Sequence, residues 1–340
     1  MKVAVISPVS WRTPPRHYGP WEMFASTLAD GLYNEGIDVT LYATGDSITK
    51  GKLGWACERP CEEDKNLDPK VCEYLHISNV MEHAKEYDII HNSFDFMPLA
   101  YSRLIDTPMV TTIHGFSSKK ILPMYKKYNG STFYVSISNA DRDKSLNYIK
   151  TIYHGINVQN YKFHAGGDYL LFFGRIHPDK GTHEAIEIAN KLNMKLIIAG
   201  IVQDEKYYSD SVKPYLSDKI RYIGPIGPDK KSDVLGNAAA LLHPIHFDEP
   251  FGYSVIEAMA CGTPVVAYNK GSMPEIIESG KNGFLVGSTD EAADSIKNIL
   301  TIDPNECRHT VCEKFSDRRM IKEYISVYRQ ILSGHAYAGG

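Results

Sequence analysis

The chain has 340 residues, 43% of them hydrophobic, and a formal net charge of −4 at neutral pH. Single cores stop growing at about 250 residues, so this length predicts two domains. The slight acidic balance gives no reason to expect nucleic acid or an anionic membrane surface as a partner, and no apolar run approaches the ~20 residues that span a bilayer.

Taken from the start, "MKVAVISPVSWRTPPRHYG" has too short an apolar segment for a secretory signal and reads as a first strand. Short apolar runs bounded by turn residues then recur, as buried parallel strands require: "DVTLYA" from Asp38, "DIIH" from Asp88, "MVTTIH" from Met109 and "TFYVS" from Thr132. Between the first strand and the run from Asp38, Phe24, Leu28 and Leu32 repeat at every fourth position and Gly36 supplies a helix stop. The pattern restarts at "YLLFFG" from Tyr169. The amphipathic "THEAIEIANKLN" follows, then "KLIIAG", "IRYIG", "AALLHPI", "PVVAY" and "GFLV". This alternation predicts two doubly wound α/β units, with "QNYKFHAGGD" (159–168) as the best linker candidate. The expected domains are 1–162 and 163–315. A C-terminal helix, 316–334, carries Ile321, Tyr324, Ile325, Tyr328 and Leu332 on one apolar face and is expected to pack back on the first domain. Six cysteines make no CxxC pair, so reduced thiols and a cytoplasmic location are expected; a disulfide or metal role for Cys57, Cys61 and Cys72 is the alternative.

Ligands of doubly wound sheets bind at the carboxyl ends of the strands, and two such units are expected to face a central cleft. Two motifs stand at such ends. In "HFDEPFGYSVIEAMACGTPVV", Gly252 leads into a helix whose first amides form an anion site suited to phosphate. Glu249 and Glu257 flank that turn. Carboxylates suit the paired hydroxyls of sugars, so hydroxyls on either side of a phosphate describe a nucleotide sugar. The plain alternative is a loop carboxylate and a solvated helix residue. In "FFGRIHPDKGTHEA", Arg175 and Lys180 lie between a strand and a helix and suit a diphosphate, against the alternative of a solvated basic loop. "DRD" at 141–143 reads as the exposed first turn of a helix, and no metal is expected.

"EPFGYSVIE", with seven residues between Glu249 and Glu257, resembles the EX7E motif of retaining glycosyltransferases with the GT-B fold, the family 4-like "group 1" glycosyltransferases. "GRIHPDKG" resembles their Gly-Arg…Lys-Gly motif, and "NKGSMPEII", "GKNGFLV", "YHGINVQNY" and "TTIHG" match further segments in order. "RHYGPWEMFASTLADGLYNEGIDVTLYA" resembles their glycine loop, helix and second strand. It departs from the usual pattern, since Gly19-Pro20-Trp21-Glu22 replaces the common Gly-Gly before the Glu.

The resemblance implies a nucleotide diphosphate sugar donor, linked to UDP, GDP, ADP or dTDP, a carbohydrate or small-molecule hydroxyl acceptor, and no cofactor. It implies that Arg175 and Lys180 hold the diphosphate, and that Glu249 contacts the transferred hexose with the backbone of Phe251 and Gly252 nearby. Tyr253 and Ser254 present amides to phosphate, and Glu257 binds the ribose. Gly19 belongs to the donor side, and the base lies along backbone near Pro225 and Ile226. His114 faces the donor sugar, although a histidine at a strand end also reads as a structural residue. Arg12, His17 and Tyr18, together with Trp11, make an aromatic and basic first loop that reads either as acceptor-contacting or as a rigid Pro-bounded loop. His91 and Asn92 are further acceptor-side candidates. An NAD-dependent oxidoreductase is a rival reading, but neither first βα turn shows GxGxxG. A non-catalytic sugar-nucleotide-binding subunit is the other.

Overall fold

A computed structural model describes residues 1–16, 19–116 and 118–334. The chain falls into two compact units. One runs to His154 and resumes at Asp317; the other is Gly155–Ser316. The segment 159–168 lies inside the second unit.

In the first unit, strands β1 (Lys2–Ile6), β2 (Asp38–Tyr42), β3 (Lys52–Gly54), β4 (Ile89–Asn92), β5 (Met109–Ile113), β6 (Phe133–Ser136) and β7 (Tyr148–Thr151) form one sheet in the order β3-β2-β1-β4-β5-β6-β7. All its pairings are parallel, and β1 sits at the reversal point, with Ala4 opposite both Thr40 and Ile90. The two edge strands have no sequence signal of their own. "KLG" is three residues long, and "YIKT" is half-buried throughout, so neither needs a continuous apolar run. Residues 141–147 form turns rather than the expected helix. Asp143 accepts the Ser145 backbone N–H at 2.9 Å, an Asx-type turn that competes with helix initiation.

The helix Pro20–Asn34 buries Phe24, Leu28 and Leu32, and the C-terminal helix Asp317–Leu332 packs beside it. Gly31 permits the close approach, because a β-carbon there would lie 1.9 Å from Ile321 Cδ1. The buried stripe of the C-terminal helix holds Ile321, Tyr324, Ile325 and Tyr328 as expected, but its last member is Ile331. Leu332 is 47% exposed, because one further residue of helix rotates it off the face.

In the second unit, β8 (Tyr169–Phe173), β9 (Lys195–Ala199), β10 (Ile220–Tyr222), β11 (Ala238–His243), β12 (Val265–Tyr268) and β13 (Gly283–Val286) form a parallel sheet in the order β10-β9-β8-β11-β12-β13. The strand order reverses between β8 and β11. The loops leaving the carboxyl ends of these two strands carry Arg175, Lys180 and Glu249. All six cysteines are free thiols. Among the described residues, no helix is long and apolar enough to cross a membrane.

Candidate active site

The chain leaves β8 through a short turn, Pro178–Lys180, and enters the helix Thr182–Leu192 at Gly181. Gly181 has φ +72°, and a β-carbon there would lie 2.0 Å from the Pro244 carbonyl oxygen. Only glycine lets this loop press against the chain leaving β11. The His246 N–H donates to the Asp179 carbonyl at 2.8 Å and ties the two loops together.

That contact sets up the central pair. Lys180 Nζ donates to Glu249 Oε2 at 2.5 Å, and both side chains are 14% exposed. The ammonium also lies 4.5 Å from the centre of the Phe247 ring. Beneath them, buried His243 at the end of β11 places Nε2 3.6 Å from the same Glu249 oxygen. Burial alone would raise the Glu249 carboxyl, but the His243 contact and the Lys180 charge outweigh it and hold the group at about 2. His243 itself is pushed down by burial, against the pull of Glu249. Arg175 is held by the Gln203 side-chain oxygen and by Asp179 at 3.4 Å.

Gly252 caps the helix Tyr253–Ala260 with no side chain of its own, and Tyr253 and Ser254 open its first turn. The preceding carbonyl, of Phe251, accepts the Ser272 hydroxyl at 2.6 Å, and the Glu249 carbonyl accepts the Ser272 N–H at 2.9 Å. The "NKGS" loop therefore braces the whole Glu249–Gly252 turn. Deeper in the helix, Glu257 is buried, and its Oε1 accepts from Tyr161 Oη at 2.7 Å and Lys231 Nζ at 2.9 Å. Lys231 stands on the helix Pro228–Gly236, directly after the loop from β10 that carries Pro225 and Ile226.

The structure thus brings Lys180 and Glu249 into contact and places Arg175, Gly252 and Glu257 at the same carboxyl-end edge of one sheet. Sequence reasoning missed Tyr161, Lys231, His243, Gln203 and Ser272. Tyr161 fell within a quoted segment, but it lies 96 residues from Glu257 and no spacing rule connects them.

In the first unit, His114 follows β5. Its Nε2 lies 2.7 Å from Ser93 Oγ and its Nδ1 3.3 Å from His154 Nε2. The ring stacks on Trp21 with centroids 5.5 Å apart. Burial lowers His114 to about 3, so the imidazole is neutral. His91 is fully buried under the C-terminal helix, with Nε2 at 3.0 Å from Thr112 and Nδ1 at 2.7 Å from Tyr328; enclosure leaves it no face for a ligand. Asn92 is equally buried and organises the next turn, donating to the Asp95 carbonyl at 2.8 Å and accepting the Phe94 N–H at 2.9 Å. Arg12 turns back on its own loop, with Nε donating to the Pro14 carbonyl at 3.1 Å. His17 and Tyr18 lie outside the described residues. Gly19 precedes the helix Pro20–Asn34 and borders a cavity of about 730 Å³ together with Trp11, Trp21 and Glu22.

The chain is similar over 97% of its length to an uncharacterized glycosyltransferase of Methanocaldococcus jannaschii, at 24% identity and covering 98% of that protein. It is 27% identical over 64% of its length to the glycogen synthase of Mycobacterium tuberculosis, of which it spans 59%. The fold is shared with Anabaena HepE, solved in complex with UDP-glucose, at a TM-score of 0.72 and 19% identity over 98% of this chain and 100% of that one. The model of the family "Glycosyl transferases group 1" matches residues 125–315, more than half the chain and the whole of the Arg175–Glu257 site. The chain therefore belongs to the group 1 glycosyl transferases and is a glycosyltransferase of the GT-B fold, acting on a nucleotide sugar.

Proposed function

We propose that the protein is a retaining hexosyltransferase that moves a sugar from a nucleoside diphosphate to an acceptor hydroxyl without a metal ion. The observation that carries this reading is the Lys180–Glu249 pair, set beside an uncapped helix start and Arg175 at one sheet edge. In this reading the donor diphosphate lies against the helix N-terminus, Arg175 and Lys180. Three cationic or dipolar groups then face the charge that develops as the sugar–phosphate bond breaks. Glu249, kept ionised by its partners, accepts hydroxyls of the transferred sugar. Glu257 holds the ribose, and the bonds from Tyr161 and Lys231 fix its orientation. Pro225 and Ile226 line the base.

The acceptor oxygen attacks the anomeric carbon on the face the diphosphate leaves. The carbon–oxygen bond to the sugar forms as the bond to phosphate breaks, and the acceptor's proton passes to the departing phosphate oxygen. This route needs no enzyme nucleophile. His114, neutral in its buried site, acts here as a hydrogen-bonding group rather than a cation. Membership of the family removes the oxidoreductase reading.

The test is nucleotide release from UDP-, GDP-, ADP- and dTDP-sugars, with Lys180→Ala and Glu257→Ala as controls. UDP comes first, because HepE was solved with UDP-glucose. Slow hydrolysis of one donor, lost in both variants, is expected. Absence of both turnover and nucleotide binding would sink the assignment, and an inverted product would sink the same-face step.

A further inference from the structure

The helix Pro304–Lys314 has a proline in its first turn, and Asp303 caps it by accepting the Asn305 N–H at 2.9 Å. It buries Cys307, Thr310 and Val311, and half-buried Arg308 stands at the edge of that face. The Arg308 guanidinium donates to three backbone carbonyls. Nη1 bonds Ala260, and also Tyr161 at 2.8 Å; Nη2 bonds Val158 at 3.2 Å. Ala260 ends the helix that carries Glu257. The last four carbonyls of a helix have no partner inside it. Here the N–H groups of Cys261, Gly262 and Thr263 serve Glu257, Ala258 and Met259, and Arg308 serves Ala260. Its charge also complements the negative end of the helix dipole. Val158 and Tyr161 lie where the chain enters the second unit, and Val158–Asn160 makes one 3-10 turn there. The Tyr161 N–H donates to the Val158 carbonyl, and the Asn160 carbonyl accepts the Ser232 hydroxyl at 3.2 Å. Ser232 stands beside Lys231 on the helix Pro228–Gly236, so the turn is held from two helices.

From this arrangement we infer that Arg308 is a positioning residue for nucleotide binding, and that it sets the aim of Glu257 through Tyr161. One nitrogen, Nη1, is bonded both to the chain that bears the phenol and to the helix that bears the carboxylate. Both ends of the Tyr161–Glu257 hydrogen bond are thereby fixed to the same atom. A guanidinium suits this task because its N–H donors lie in one rigid plane, whereas a lysine ammonium is a point charge on a flexible stem. The inference rests on the reading of Glu257 as the ribose carboxylate and goes beyond it. Arg308 stands at the carboxyl end of that helix, and the diphosphate is assigned to its start, so Arg308 acts without touching phosphate. A guanidinium that merely stabilised the second unit would bond the same carbonyls. Energetic coupling to Tyr161 separates the two roles.

Isothermal titration of UDP, GDP, ADP and dTDP into the full chain identifies the nucleotide that binds, and Glu257→Ala should weaken it. Arg308→Met should raise its Kd roughly fivefold in the wild-type background but less than about twofold in the Tyr161→Phe background, where the phenol it positions is already gone. Arg308→Lys keeps the charge but not the fork. It should raise Kd about threefold, with the same loss of effect beside Tyr161→Phe, and it carries the test if the methionine variant does not fold. An equal factor in both backgrounds, or a lowered unfolding temperature with Kd unchanged, would overturn the inference and leave Arg308 a brace of the fold. Binding of no nucleotide, or equally tight binding by Glu257→Ala, would overturn the donor-site reading and this inference with it.

Discussion

Each unit buries a carboxylate at the carboxyl edge of its sheet, and the two behave in opposite ways. Glu22 in the first unit is pushed up to about 7, by burial that two backbone N–H contacts do not offset. Glu249 in the second is somewhat less enclosed, at 14% exposed, yet it is held at about 2. The difference lies in the neighbours. Glu22 is surrounded by Trp11, Trp21 and Gly19, whereas Glu249 has Lys180 at 2.5 Å and His243 at 3.6 Å. Burial costs a charge wherever it occurs, and only a placed cation reverses the sign. The two sites therefore differ in whether a buried carboxylate keeps its charge.

The largest expected effect comes from removing the cation. Lys180→Met keeps most of the stem but leaves Glu249 buried with His243 alone. Breaking a buried ion pair in this way costs about 3–5 kcal/mol. The same ammonium is assigned to the leaving diphosphate, so kcat/KM for donor should fall ~10²–10³-fold. Urea unfolding and nucleotide-release kinetics read the two effects separately. A variant with full stability and activity would mean that Lys180 and Glu249 merely lie side by side.

The next effect is a pH dependence of opposite sign in the two units. Glu22 has a folded-state value of about 7, against an ordinary 4.5, so the fold prefers it protonated. Its contribution to stability is greatest below 4.5 and is lost as pH rises through 4.5 to 7, by roughly 3 kcal/mol in all. For Glu249 the folded value is depressed. Its contribution is present above 4.5 and is lost as pH falls from 4.5 towards 2. Glu22→Gln should thus gain on the wild type between pH 4.5 and 8, when unfolding is followed across that range. A constant difference would show that Glu22 is ionised or protonated throughout.

Much of this was legible in the sequence because period and punctuation carry it. The runs at Val3, Asp38, Met109 and Tyr169 are buried strands because parallel strands are covered on both faces, and that coverage makes them continuously apolar. The Arg175–Lys180 and Glu249–Glu257 motifs were legible because a tight loop fixes neighbouring residues in space. What stayed hidden depends on contacts distant in sequence. His91 and His114 look alike at the ends of adjacent strands. Only the packing of Tyr324 and Tyr328 over the first, and of Trp21 over the second, distinguishes them. The cavity was invisible for the same reason, since the loop after β1, the helix Pro69–Glu82 and the loop after β4 each supply part of its wall.

A third carboxylate gives the smallest and most specific test. Glu257 shares the second unit with Glu249, but one of its two donors is a neutral hydroxyl, from Tyr161, and the other is Lys231. If the Tyr161 hydroxyl sets only orientation, Tyr161→Phe should loosen the aim of Glu257 at the proposed ribose site. One hydrogen bond to a charged group is worth about 1.5 kcal/mol, so nucleotide Kd should rise roughly tenfold. Under the proposed ribose role, the turnover number at saturating donor should stay within about twofold, because such a contact is made equally in ground and transition states. Lys231→Met removes the cation instead and should weaken nucleotide binding further. Isothermal titration with the nucleotide identified by the release assay distinguishes them. Equal losses in the two variants would mean that hydroxyl and cation do the same work at Glu257, and the contrast drawn between Glu22 and Glu249 would then not extend to it.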